Sequence, residues 1–220
     1  MPQPSVAAIV PAHNEEQTLG LVLRALKNAP SVNEIVVVSD ASVDATAEIA
    51  RAAGTIVVEL EEQHGKGGAM LEGLKVTEAE VIAFFDADLV GLTPEHVERI
   101  VLPVVSGSKA MNVGLRDRGQ LITSIGAKLP LISGERAMRR SIISNIPERY
   151  MKGFMIESAF NYFCRSHGLV YGSVKMPGLT IVRKYEKVGW TQAIGQYLRM
   201  FYQIGKAMFW VRVMYRLGKF

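Results

Sequence analysis

Two aspartates, Asp86 and Asp88, follow the apolar stretch Val81–Phe85 with only Ala87 between them. Carboxylates at that spacing on a tight turn can both face one hard cation. Mg2+ and Mn2+ favour oxygen ligands and usually share them with phosphates. A departing diphosphate needs its charge neutralised as its bond breaks, and such a turn supplies that. Taken alone, the pair also fits an ordinary acidic turn after a strand, so its surroundings decide.

Three loops precede it. Val10-Pro11-Ala12-His13-Asn14-Glu15-Glu16 and Val38-Ser39-Asp40-Ala41-Ser42-Val43-Asp44-Ala45-Thr46 each join an apolar run to a helical pattern. Asn14 and Asp44 read as helix caps, with Gln17 completing a capping-box pattern, whereas Asp40 precedes its cap and can face a ligand. His64-Gly65-Lys66-Gly67-Gly68-Ala69 offers glycine backbone for close approach, a lysine for phosphate and a helix N-terminus that favours anions. Met70 stands where a dinucleotide fingerprint needs its third glycine, and no GxxxxGK[ST] run exists.

Two later segments concern the second reactant. Ser133-Gly134-Glu135-Arg136 is a small-residue turn with an arginine, a group that binds phosphate bidentately. The plainer reading is a solvated arginine at a helix start, which is how Arg139 and Arg140 read. Glu157, in Gly153-Phe154-Met155-Ile156-Glu157, is either a base for a hydroxyl acceptor or a structural partner of Lys or Arg. A phosphate acceptor needs no base. His13 and His64 lie in loops, His96 in a helix and His167 at a helix end, and no HxxxH or HExxH spacing predicts zinc.

Positioning these residues requires alternating strands and helices. Ser5–Val10, Glu34–Val38, Thr55–Leu60, Val81–Phe85 and Lys109–Leu115 read as strands. Leu19, Val22, Leu23 and Leu26 recur at helical spacing, and a second helix runs to Ala53 with Gly54 as its stop. Further helices are predicted over about 67–76, from Thr93-Pro94-Glu95, and over Phe154–His167, with Leu169–Met176 as a late strand. The alternation predicts a parallel, doubly wound sheet whose ligands bind beyond the carboxyl ends of the strands.

PAHNEE, SDASVDAT, HGKGGAM and FFDADL, in this order and spacing, resemble the signature of family 2 glycosyltransferases of the GT-A fold. The resemblance covers about residues 5–120 and is strongest to dolichol- and polyprenyl-phosphate sugar transferases. It implies an α/β fold, Rossmann-like, with a mostly parallel sheet flanked by helices, and transfer of a hexose from a UDP- or GDP-sugar with Mg2+ or Mn2+. It also implies that Pro11, Ala12, Asn14, Glu15, Asp40 and Ser42 hold the nucleoside side and Lys66 the ribose-diphosphate. Asp86, Ala87 and Asp88 meet the donor, the two aspartates binding the metal. Ser133, Gly134, Glu135 and Arg136 face the acceptor, and Asp88, Glu157 and Arg136 are the catalytic candidates. The acceptor implied is a phosphate-bearing molecule, a polyprenyl phosphate first, with inversion. DADLVGLTPEHV and LISGERA also resemble glucosyl-phosphoglycerate synthases, retaining enzymes with a soluble acceptor. Their late histidine ligand has no counterpart in Pro177–Arg183, and Val90 replaces the glutamine of DADLQ. A sugar nucleotidyltransferase would open with GxGxRLxPLT, which PAHNEEQTL is not. Asp86, Asp88 and Glu157 together argue against the alternative of a non-catalytic nucleotide-sugar-binding module.

Hydrophobic residues make up 49% of the 220, enough for a real core. The net charge of +4 belongs to the tail: residues 190–220 carry Arg199, Lys206, Arg212, Arg216 and Lys219 and no acid, against 20 basic and 21 acidic residues before them. The body therefore has no basic stripe for nucleic acid. Residues 1–189 read as the catalytic domain and 190–220 as a basic amphipathic helix suited to anionic lipid, with packing on the domain or on a dimer partner as the alternative. No charge-free run there reaches the roughly 18–20 residues of a span. The single cysteine, Cys164, and the absence of a leader-like start predict a cytoplasmic setting, peripheral on the inner membrane face.

Overall fold

The structure, a computed structural model, describes residues 3–116, 133–150, 155–181 and 213. Nine strands and six helices alternate through them: β1 (Val6–Ala12), α1 (Leu19–Lys27), β2 (Glu34–Asp40), α2 (Thr46–Ala52), β3 (Ile56–Leu60), α3 (Gly65–Lys75), β4 (Val81–Phe84), β5 (Leu89–Val90) and α4 (Pro94–Val105) come first. β6 (Met111–Arg116), β7 (Arg136–Arg139), α5 (Arg140–Ser144), α6 (Met155–Ser166), β8 (Tyr171–Met176) and β9 (Thr180–Ile181) follow. The expected tail, 190–220, lies outside the described residues apart from Val213. Among the described residues no helix is long and apolar enough to cross a membrane.

Seven strands form one sheet in the order β3-β2-β1-β4-β7-β6-β8, and β5 pairs with β9 in a separate ribbon. All pairings in the large sheet are parallel except those of β7, which runs antiparallel to both β4 and β6. β1 is central, and Val6 to Val10 are each no more than 1% exposed, so it reads as an unbroken apolar run. The even residues of β1 face α1 and α4. The odd ones face α3, and that layer continues through α5 and α6. Leu19, Val22, Leu23 and Leu26 bury the stripe of α1 completely, each contributing about 1.5–3 kcal/mol.

Two polar devices fix the helices over the sheet. Pro103 inside α4 has no N–H to donate, so the Arg99 carbonyl loses its helical partner. Asn112 of β6, fully buried, donates its Nδ2 to Arg99 O at 3.0 Å and to Ile100 O at 3.2 Å. At the other layer Gly73 lets α3 settle onto β1 and β2, because a Cβ there would meet Ile9 Cγ2 at 2.6 Å.

Three sequence expectations need correction. Asn14 is not the cap of α1: the helix starts at Leu19 after Thr18, and Asn14 sits at φ +54°, bonded across to the next loop. Arg136 lies in a strand inside the sheet and not at a helix start, since the short RAMR run carries no alternation to reveal it, whereas the exposed Arg139 does stand at the start of α5 as expected. Arg140 is not solvated: its guanidinium donates to Leu74 O at 3.1 Å and Thr77 O at 2.7 Å, closing the C-terminal end of α3.

Candidate active site

The loops after β1 and β2 clasp each other. Asn14 N donates to Ser42 Oγ at 3.2 Å, and Val43 N donates to Asn14 Oδ1 at 2.9 Å. Glu15 N donates to Thr46 Oγ1 at 2.9 Å. Glu16 N donates to Asp44 Oδ2 at 3.2 Å, and Ala45 N returns a bond to Glu16 Oε2 at 3.1 Å. Asp44, one residue before the Ala45 cap position of α2, also accepts from Thr46 N at 3.0 Å, and its carboxyl lies low because the Thr46 and Glu16 bonds outweigh the opposing effect of burial. His13 Nδ1 donates to the Asp40 carbonyl at 2.6 Å, which leaves Nε2 to accept from Asn14 Nδ2 at 3.3 Å. Asn14 and Ala41, both at φ +54°, are the non-glycine residues with left-handed backbone among those described. Such strain collects where surrounding structure holds a loop in a working geometry. Pro11 is half-buried and Ala12 buried at the root of this clasp.

Asp40 is already tied to the start of α3. It is 4% exposed and accepts from His64 N at 2.7 Å and Gly65 N at 2.8 Å. The side chain thereby serves as the cap that His64 itself does not provide to α3. This tie carries the clasp over to Lys66, in the first turn of α3.

Strand register brings the rest together. β4 pairs with β7 so that Phe84 faces Arg136, and continuing that register two residues further sets Asp86 opposite Gly134. Asp86 forms an ion pair with Lys66, the two side chains 20% and 38% exposed. Both crowd Gly134: a Cβ there would lie 2.5 Å from Asp86 Oδ1 and from Lys66 Nζ, so any side chain would have to push the ion pair aside. Gly114 N donates to Glu135 O at 2.9 Å, aligning β6, and Arg116 at its end stands 3.5 Å from Glu135 Oε2. Ser133 Oγ donates to the same oxygen at 2.5 Å.

Arg136 points inward. It is 1% exposed, donates through Nη2 to Ser133 O at 2.5 Å and lies 5.4 Å over the Phe160 ring. Glu157, in the first turn of α6, is 9% exposed, and its Oε2 meets no hydrogen-bond donor among the described residues. Glu135 Oε1 is likewise unmatched.

Four carboxylates (Asp86, Asp88, Glu135, Glu157) thus face three cations (Lys66, Arg116, Arg136). Burial would raise the Asp86 carboxyl, but the Lys66 ammonium against it holds it below the usual range. Burial and the neighbouring Asp86 charge push Asp88 up, and the same two causes push Glu135 up. Burial pulls the Arg136 guanidinium down against the opposing pull of Glu157, Glu135 and Asp86. Lys66 is held above its ordinary value because Asp86, Glu157 and Glu135 outweigh its burial. The surplus of negative charge, with all-oxygen donors, fits a hard divalent cation at Asp86 and Asp88. Asp88 is half-buried and Ala87 buried on the same turn. Among the described residues no cluster of three His, Cys, Asp or Glu side chains has metal-holding geometry.

The sequence reading missed Arg116. A basic residue ending a strand whose carboxyl end faces the site was the available signal, and it fell one residue past the strand as drawn.

A family model described as glycosyl transferase family 2 matches residues 7–167. The chain belongs to that family. The family 2 chain is 39% identical over 122 residues to an uncharacterized protein of Methanocaldococcus jannaschii, covering 53% of this chain and 49% of that one. It is 28% identical over 188 residues to the glucosyl-3-phosphoglycerate synthase of Mycolicibacterium smegmatis, covering 70% of this chain and 61% of the synthase. It spans about half to three fifths of these relatives' lengths. A solved glucosyl-3-phosphoglycerate synthase from Mycobacterium tuberculosis, in complex with Mn2+, UDP-glucose and phosphoglyceric acid, superposes with a TM-score of 0.76 at 23% identity. The match covers 94% of this chain and 79% of that one. The fold is GT-A, as the sequence motifs implied.

Proposed function

We propose that this chain transfers a hexose from a nucleoside diphosphate sugar, UDP- before GDP-, to a phosphate-bearing acceptor, with Mg2+ or Mn2+ at Asp86 and Asp88. The observation that carries this reading is the meeting of the Asp86–Asp88 turn with Lys66 and Gly134 at one sheet edge, under a surplus of carboxylates. A bound divalent ion supplies charge neutralisation for the leaving diphosphate. The chain's own residues do the rest. The clasp of residues 11–16 on residues 40–46 shapes the nucleoside side, and Lys66 meets the diphosphate. Arg116, at the mouth of the acceptor side, attracts an anion. Glu157 receives a hydroxyl proton or hydrogen bond through its unmatched oxygen. Arg136 holds the Ser133–Gly134 turn in place from beneath.

The acceptor is a soluble phosphorylated molecule in the first reading, supported by the likeness of 70% of the chain to a glucosyl-3-phosphoglycerate synthase. A lipid-linked phosphate is the second reading, favoured by the acid-free aromatic segment 190–220. UDP-, GDP- and dTDP-sugars with Mn2+, offered with 3-phosphoglycerate or with polyprenyl phosphate in vesicles, test both, and the anomer formed reports inversion or retention. Transfer that survives Asp88→Ala unchanged refutes the metal role. Flotation with anionic vesicles that persists after deletion of 190–220 refutes the lipid role of that segment.

A further inference from the structure

We propose that Lys66 is an exchangeable counter-ion of the Asp86–Asp88 turn: it occupies Asp86 while the site holds no ligand, yields to the divalent ion and moves to the diphosphate. This deepens the reading above and rests on it. The Lys66 ammonium pairs with Asp86 Oδ1 and lies against Gly134, between the aspartate turn and the acceptor-side turn. The charges of Glu157 and Glu135 also act on it. It therefore stands within the group of carboxylates that a divalent ion would neutralise.

A monovalent ammonium and a divalent ion cannot hold one carboxylate together without strong repulsion at this range. The lysine is built to leave. Its side chain is 38% exposed, on a four-carbon stem from the first turn of α3, next to Gly65 at φ +71° and followed by Gly67 and Gly68. Metal arriving alone must displace an ion pair and strand the ammonium beside it. Metal arriving with a nucleoside diphosphate gives the ammonium a new anionic partner. The two ligands consequently favour each other, and linkage makes that coupling reciprocal.

Mn2+ binding to the full chain, followed by the electron paramagnetic resonance signal of the unbound ion with and without UDP, tests this. Lys66→Gln is expected to bind Mn2+ alone at least about fivefold tighter than the wild type, and UDP should tighten Mn2+ less in the variant by a similar factor. Lys66→Arg, which keeps the charge, should stay near the wild type. Lys75→Gln removes the same charge from the same helix, where Lys75 pairs with Glu72 at 2.8 Å, and should change neither affinity. The exchange is overturned if Lys66→Gln leaves Mn2+ affinity unchanged or weaker, or if Lys75→Gln tightens it equally. If neither wild type nor variants bind Mn2+ even with UDP, the metal-dependent transfer itself is overturned, which separates the two failures.

Discussion

Asp40→Asn separates a scaffold role from ligand contact. The carboxylate is 4% exposed and takes two backbone N–H groups, from His64 at 2.7 Å and Gly65 at 2.8 Å. Asparagine keeps one acceptor oxygen and turns an NH2 group toward the other donor. One charge-assisted bond, worth about 1.5–3 kcal/mol, is lost, and so is the favourable charge at the start of α3, worth about 0.3–1 kcal/mol. His64 is exposed, so water replaces part of the loss, and about 2 kcal/mol is the expected net destabilisation. Urea unfolding without any nucleotide reads it directly. At a slope of roughly 1–3 kcal/mol/M the midpoint falls by about 1 M. If the variant unfolds at the wild-type midpoint yet loses donor affinity, Asp40 acts on the ligand alone and its capping of α3 is energetically idle.

Asn112→Leu should cost about 2 kcal/mol by stranding the Arg99 carbonyl, and Pro103→Ala, which restores an N–H to that carbonyl, should return part of it in a double-mutant cycle read by urea unfolding. Glu135→Gln should raise stability at neutral pH. Burial and Asp86 raise the wild-type carboxyl, so its contribution is favourable below the unfolded value of about 4.5 and is lost as pH rises through the higher folded value. The gain from glutamine should accordingly vanish in thermal unfolding at pH 4 and below. Cys164, fully buried and with its thiol pushed up to about 12 by burial, should resist thiol reagents at pH 8 until the chain unfolds; rapid labelling of native protein would contradict that.

Much of this was legible because the first half obeys local rules. The helical period of α1, the unbroken apolar run of β1, the Thr93 cap with Pro94, and the stops at Gly54 and Gly168 each follow from a few neighbouring residues. The aspartate turn was legible for the same reason. What escaped depends on partners distant in sequence. Asn14 carries every local mark of a cap, yet the loop containing Ser42 and Val43 outbids its own helix for its hydrogen bonds. β7 is too short to show a period, and its place between β4 and β6 is decided by neighbours across the sheet. Arg136 was read as meeting phosphate directly, and its packing on Phe160 is a tertiary fact no spacing announces.

The reversal of β7 divides the labour of the chain. Every other strand of the large sheet delivers its final residues to the working edge, whereas β7 delivers its first, Ser133–Arg136 arriving from outside while Asp86–Asp88 depart from within. On the reading proposed above, residues inserted between β6 and β7 would reshape recognition of the second reactant without shifting the aspartates, and doubling such a loop costs only about 0.6 kcal/mol in closure entropy. New acceptors would then be reachable by insertion while the proposed donor half stays as it is.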